Sequence, residues 1–145
     1  MTDRDEIKAE IKNQLNSYRD LRAEHQELLD ELQQMDSLIA GPNLDGMPRS
    51  PGVSNPTERA ALNHLALVKK CEAKLEDIAS ALERIEDMIE GLEPIERRVA
   101  RLHYVEGLKW EDVCEKISYS WSQTHRIHGR LLEKLVDAEM EKRET

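Results

Sequence analysis

LEPIERRVARLHYVEGLKWEDVCEKISYSWSQTHRIHGRLLEKL, residues 92–135, contains three apolar patterns of helical period divided by two short polar breaks. Pro94 stands where a helix can start without losing a needed N–H. Ile95, Val99, Leu102 and Val105 then give that helix its apolar side, with Arg97, Arg98 and Arg101 on the others. Glu106-Gly107-Leu108-Lys109 interrupts the pattern. In the next segment, from Trp110 on, Val113, Cys114 and Ile117 point inward. Glu111, Asp112 and Glu115 point outward, and the acids near the helix start suit its dipole. After the Ser118-Tyr119-Ser120 break, Ser120 is placed to cap the last helix, with Gln123 completing a capping box. That helix buries Thr124, Ile127, Leu131 and Leu135. A short helix, a tight polar turn and a longer helix have the proportions of a helix-turn-helix, whose second helix lies in the DNA major groove.

The residues left on the outer side of the last helix suit such a task. Trp121, Ser122, Gln123, His125 and Arg126 are the expected base-reading set: glutamine can pair bidentately with adenine, arginine with guanine, and serine with several base edges. Gly129 would let backbone and DNA approach closely. Arg130, Lys134, Lys109, Arg97 and Arg98 are placed for phosphates, which position a domain without specifying sequence.

Composition sets the frame for this region. Of 145 residues 35% are charged, only 3% are aromatic and none is Phe, too little bulky apolar material for one large core. Long helices are the natural outcome, and the expected fold class is all-α. The net charge of −9 excludes a nonspecific nucleic-acid coat or a membrane-surface binder, but it is unevenly spread. Residues 1–40 carry five basic against ten acidic side chains, and residues 56–91 five against eight. From Ser118 to Leu135 only Glu133 opposes Arg126, Arg130 and Lys134. The acid lies mostly away from the expected reading helix.

Upstream, Ile7, Ile11, Gln14, Tyr18, Leu21, His25, Leu28, Leu32, Met35 and Ile39 step by four and three, a heptad seam that Leu15, Leu29 and Leu38 widen. It predicts a helix over residues 4–40. Residues 41–55 are rich in Pro and Gly and read as a loop. Asn55 and Pro56 suit the start of a second helix over residues 56–90, lined by Leu65, Val68, Leu75, Ile78, Leu82, Ile85, Ile89 and Leu92 and closed by Gly91. The expected organisation is therefore a long antiparallel, coiled-coil-like helical hairpin over residues 1–91, then a three-helix helix-turn-helix domain over residues 92–145. Pairing of the hairpin within one chain, or between two chains as a homodimer, is left open.

Cys71 and Cys114 lie far apart in expected helices and read as buried thiols of a reducing cytoplasm. The polar amino terminus is unlike a signal peptide and no apolar run could span a bilayer, so the expected location is cytoplasmic, with no membrane partner. His125 and His128 are three apart, yet no carboxylate completes a ligand set, and neither a phosphate loop nor a nucleophile motif is present. The expectation is no metal, no cofactor and no enzymatic activity.

Leu92-Glu93-Pro94, Glu96-Arg97, Leu102, Tyr104, Glu106-Gly107-Leu108, Ser120 and residues 130–135 (RLLEKL) resemble, in order and spacing, the region-four domain of bacterial sigma factors. The layout of a long helical amino-terminal half, with the Met47-Pro48-Arg49-Ser50 to Asn55-Pro56-Thr57 joint, resembles the ArpU and RinA type of phage-encoded transcriptional regulators. The resemblance implies recognition of an upstream promoter element in double-stranded DNA, contact with RNA polymerase, and late-gene activation in a phage or prophage. Trp121, Gln123 and Thr124 depart from the more basic or aliphatic residues usual there, so the promoter preference of sigma factors does not carry over. No region-two-like aromatic segment for DNA melting is visible. The alternative reading is a small terminase-like protein that recognises viral DNA for packaging; a third makes the acidic hairpin a capture surface for a basic protein.

Overall fold

The computed structural model describes residues 2–39 and 54–144, with side chains outside residues 37–39 and 54–57. The described residues form five α-helices and one π-helical turn and contain no strand, an all-α fold. In chain order these are α1 (Asp3–Ile39), α2 (Ser54–Glu90), α3 (Pro94–Ala100), the π-helical turn Arg101–Val105, α4 (Trp110–Ile117) and α5 (Trp121–Glu144). α2 begins at Ser54, so Asn55, expected as its cap, stands inside the helix; residues 41–53 of the expected loop lie outside the described residues.

The expected boundary at residue 91 is not where the chain divides. Met1–Arg22 and Ala81–Thr145 form one compact unit, and Ala23–Ser80 a second. The physical reason is that the first turns of α1 belong to the core of the carboxy-terminal region. Ile7, Ile11, Leu15 and Tyr18 are buried in one cluster with Ile85, Ile89, Val99, Leu131 and Val136. Ion pairs reinforce this: Arg4 meets Glu133, and also Asp137 at 2.8 Å, Lys8 meets Glu133 at 3.3 Å, and Arg143 meets Glu10 at 2.8 Å. Thr2 caps α1, its Oγ1 accepting the Asp5 N–H at 3.3 Å and donating to the Asp5 carboxylate at 2.9 Å.

Within this unit the heptad reading needs adjustment. Gln14, expected in the seam, is exposed, and its neighbour Leu15 is fully buried instead, because this part of α1 faces several helices rather than a single partner. The Tyr18 hydroxyl donates to Glu86 at 2.5 Å, tying α1 to α2. In the second unit Cys71 is buried and its thiol donates to the Leu28 carbonyl at 3.4 Å. Leu65, expected inward, is half exposed, and Cys114 of the first unit is only partly buried.

Pro94 starts α3 as expected, but the helix does not continue regularly to Val105. After Ala100 it widens into the π-helical turn, where Glu106 N–H reaches the Arg101 carbonyl at 2.8 Å. The extra residue lets both Leu102 and Tyr104 enter the core. Gly107 follows with a φ of 76°, the left-handed backbone that makes this turn require glycine, and a Cβ there would also displace the Arg19 guanidinium, the end of a flexible side chain.

Candidate nucleic-acid interface

α4 runs from Trp110 to Ile117 and closes on Ser118, whose φ of 60° is left-handed. This reverses the chain within three residues, and Tyr119 N–H returns to the Cys114 carbonyl at 3.1 Å. Ser120 then caps α5. Its Oγ accepts the Gln123 N–H at 3.2 Å while Gln123 Oε1 accepts the Ser120 N–H at 3.2 Å, the reciprocal pair read from the sequence. Thr124, buried, donates to the Ser120 carbonyl at 2.8 Å. Val113 and Ile117 from α4, and Thr124, Ile127 and Leu131 from α5, are all buried. α5 thus has one side fixed in the core against α3 and α4.

Its outer side divides into two groups. Ser122 and Arg126 are exposed four residues apart, and Arg130 is exposed four further on. Gly129 sits beside Arg130, with open space where a Cβ would be. No hydrogen bond or ion pair within the described residues engages the Arg126, Arg130 or Lys109 side chains. This stripe can take bonds from outside the chain at no cost to bonds within it.

The second group is drawn inward. Trp121 remains 53% exposed, but its ring lies 4.3 Å from that of His125. His125, expected among the base-reading residues, is half-buried between Trp121 and Trp110, and its Nε2 is buried without a hydrogen-bond partner. Its geometry is that of a packing residue. Behind it, Trp110 stacks on His103 at 3.9 Å and meets His128 edge-on at 4.5 Å. His103 Nδ1 donates to the Leu108 carbonyl at 2.9 Å, and the Tyr104 hydroxyl hydrogen-bonds His128 Nε2 at 2.5 Å. Burial pushes the Tyr104 phenol up to about 12. Burial, with His103, Lys12, His125 and Lys8 nearby, pushes His128 down to about 4, and burial lowers His103 as well. Both of these rings are therefore neutral at pH 7. Together these rings form a wedge that holds the first turns of α5 against the π-helical turn and the start of α4.

The expected phosphate contacts fare unevenly. Lys134 is committed elsewhere: its ammonium donates to the fully buried Glu96 carboxylate at 2.9 Å and lies 3.3 Å from that of Glu93, which holds its pKa above the usual lysine range. Removing it would leave Glu96 buried and unpaired, so this lysine is a structural partner rather than a free cation. Arg97 faces Glu90 at 3.8 Å, a carboxylate shared with Arg101. Arg98 donates to the Lys116 carbonyl at 3.3 Å and stays exposed. Arg97, Arg98, Arg101 and Lys116 surround an open groove with Leu102 and Val105 on its floor.

The sequence reading missed the ring wedge. Its signal was the recurrence of His103, Trp110, His125 and His128 around the two turns, visible only once the helix phases are known. No group of three or more His, Cys, Asp or Glu side chains that could hold a metal is found among the described residues, and no described helix is long and apolar enough to cross a membrane. Compared with protein-family models, curated proteins and solved structures, the chain matches none.

Proposed function

We propose that the chain is a sequence-specific double-stranded DNA-binding regulator of transcription, with α4 and α5 working as a helix-turn-helix and α5 as the reading helix. The observation that carries this reading is the Ser122, Arg126, Gly129 and Arg130 stripe: two cations free of partners and an open glycine, on the exposed side of a helix whose other side is locked in a core. In an acidic protein an unpaired cationic stripe is a place for an anionic partner. Arg126 and Ser122 lie in the first two turns and are placed to read base edges, Arg126 as a bidentate donor to guanine. Trp121 and Gln123 sit at the same end, with Gln123 also serving as a cap. Arg130 and Lys109 are placed for phosphates, with Arg98 beside the neighbouring groove.

The resemblance of residues 92–135 to sigma region four favours action at promoters, with RNA polymerase as a second partner, and the likeness to ArpU and RinA type regulators favours a phage or prophage late-gene activator. Selection from randomised duplexes tests the reading directly. It should return a defined motif. Arg126→Ala should weaken binding to that motif by about 1–3 kcal/mol and relax the preference at one position. Arg130→Ala should weaken all duplexes alike and reduce the slope of log affinity against log salt by about 0.9. Equal binding to every duplex, untouched by Arg126→Ala, would overturn it.

A further inference from the structure

Ala23–Ser80 has an unusual surface for a pair of helical segments. Four of the six large apolar side chains exposed among the described residues lie in it: Leu29, Leu62, Leu65 and Leu67, from 40% to 65% accessible. Its described buried side chains are only Cys71, Leu75 and Ile78. Two helical segments with so small a core gain little from each other, since helical stability in proteins comes mainly from burying an amphipathic face.

Each segment contains one stretch dominated by a single sign of charge. In α1, residues 23–36 carry Glu24, Glu27, Asp30, Glu31 and Asp36 and no Lys or Arg. In α2, residues 59–74 form a basic stretch, with Arg59, Lys69, Lys70 and Lys74 against Glu72, flanked in the same helix by Glu58, Glu76 and Asp77. Among the described residues, none of these charges forms an ion pair within the chain. The unit therefore offers exposed leucines, an acidic stretch of α1 and a basic stretch of α2, with no ion pair among the described residues to neutralise either stretch.

We propose that this surface binds a second copy of the chain, the acidic stretch of one α1 lying against the basic stretch of the partner's α2. A uniformly acidic or uniformly basic protein would be drawn to one helix and repelled by the other. A second copy carries both signs, and a twofold arrangement satisfies both at once in two equivalent contacts. The leucines supply the apolar contact between them, making a four-helix arrangement from two chains. The inference does not rest on DNA recognition, because none of these residues belongs to the candidate nucleic-acid interface.

Light scattering on the full chain provides the test. The wild type should show twice the chain mass, and Leu62→Glu/Leu65→Glu should weaken self-association at least tenfold with helical circular dichroism retained. Two charge variants keep the test decisive if the leucine variant misfolds. A Lys69→Glu/Lys70→Glu chain and an Asp30→Lys/Glu31→Lys chain should each be monomeric alone and recover the two-chain mass when mixed. A wild type that stays monomeric at roughly 100 µM overturns the proposal. So does a dimer indifferent to both charge variants, or a mixture of the two that stays monomeric.

Discussion

Met1–Arg22 with Ala81–Thr145, and Ala23–Ser80, are built from overlapping helices yet use their charges in opposite ways. All nine ion pairs among the described residues lie in the first unit, where Arg4, Lys8, Arg97, Arg101, Lys134 and Arg143 each meet carboxylates within the chain. In Ala23–Ser80 no such pair is found among the described residues, and an acidic stretch of α1 stands beside a basic stretch of α2. Surface pairs contribute little individually. Their distribution is nevertheless informative: the first unit pairs most of its inward-lying cations and leaves Arg126, Arg130 and Lys109 free, whereas none of the charges in the acidic and basic stretches of the second is ion-paired among the described residues.

The sharpest way to break that contrast is to remove apolar volume from each unit. Leu131 is fully buried among helices of the first unit, and Leu131→Ala should cost about 4 kcal/mol. Leu75, at the margin of its smaller core, should cost about half as much when changed to Ala, roughly 2 kcal/mol. Urea denaturation of the two variants gives the comparison, and equal losses would contradict the difference in core size.

Next in magnitude is the pH response of the ring wedge. His128 is lowered to about 4 in the folded chain, from 6.5. Between those values the unfolded chain takes up the proton and the folded chain does not. Stability is therefore full above pH 6.5 and falls as pH drops toward 4, by about 2 kcal/mol after discounting for partial exposure. His103 is shifted the same way and adds to the fall. In urea midpoints measured from pH 7 to pH 4, His128→Phe should flatten the decline. A decline of unchanged slope would mean that the wedge is not its source.

Gly107→Ala comes after that. The positive φ opposes a methyl group, so a loss of about 1–2 kcal/mol is expected, read as a lower melting midpoint. The smallest effect, about 1 kcal/mol, has the opposite sign. Gly129 lies inside α5 with nothing within 4 Å of an added Cβ, so Gly129→Ala should stabilise the fold. If DNA approaches this stripe closely, the same variant should bind it more weakly. A stabilised variant with unchanged affinity would place the DNA elsewhere on the helix.

Much of this was legible from residues alone. Pro94, the α4 limits, the Ser120–Gln123 cap and the inward set of Thr124, Ile127, Leu131 and Leu135 follow from local rules: capping, proline chemistry and a period of 3.6. The division of the chain was not legible, because a heptad seam states which side of α1 is apolar but not which helices cover it, and Ile7, Ile11 and Leu15 are covered in part by residues more than a hundred positions away. Lys134 and His125 were misjudged for a related reason. Each sits at the edge of the helix's outer face, where a few degrees of rotation decide between solvent and a neighbour such as Glu96 or Trp110. A helical wheel does not resolve that angle.

The π-helical turn at Arg101–Val105 acts as a phase shifter. An α-helical residue advances the chain by about 100°, so one residue added in a single turn lets two helical registers share one continuous backbone. Val99 is presented in the first register, and Leu102 and Tyr104 in the second. Deleting Arg101, just before the buried residues of the turn, would leave an ordinary helix with Tyr104 chemically intact, yet would carry Tyr104 about a quarter-turn away from His128. The histidine wedge behind α5 is therefore tuned by the length of a helix as much as by the identity of its residues, and a change in residue count there would act on α5 without touching it.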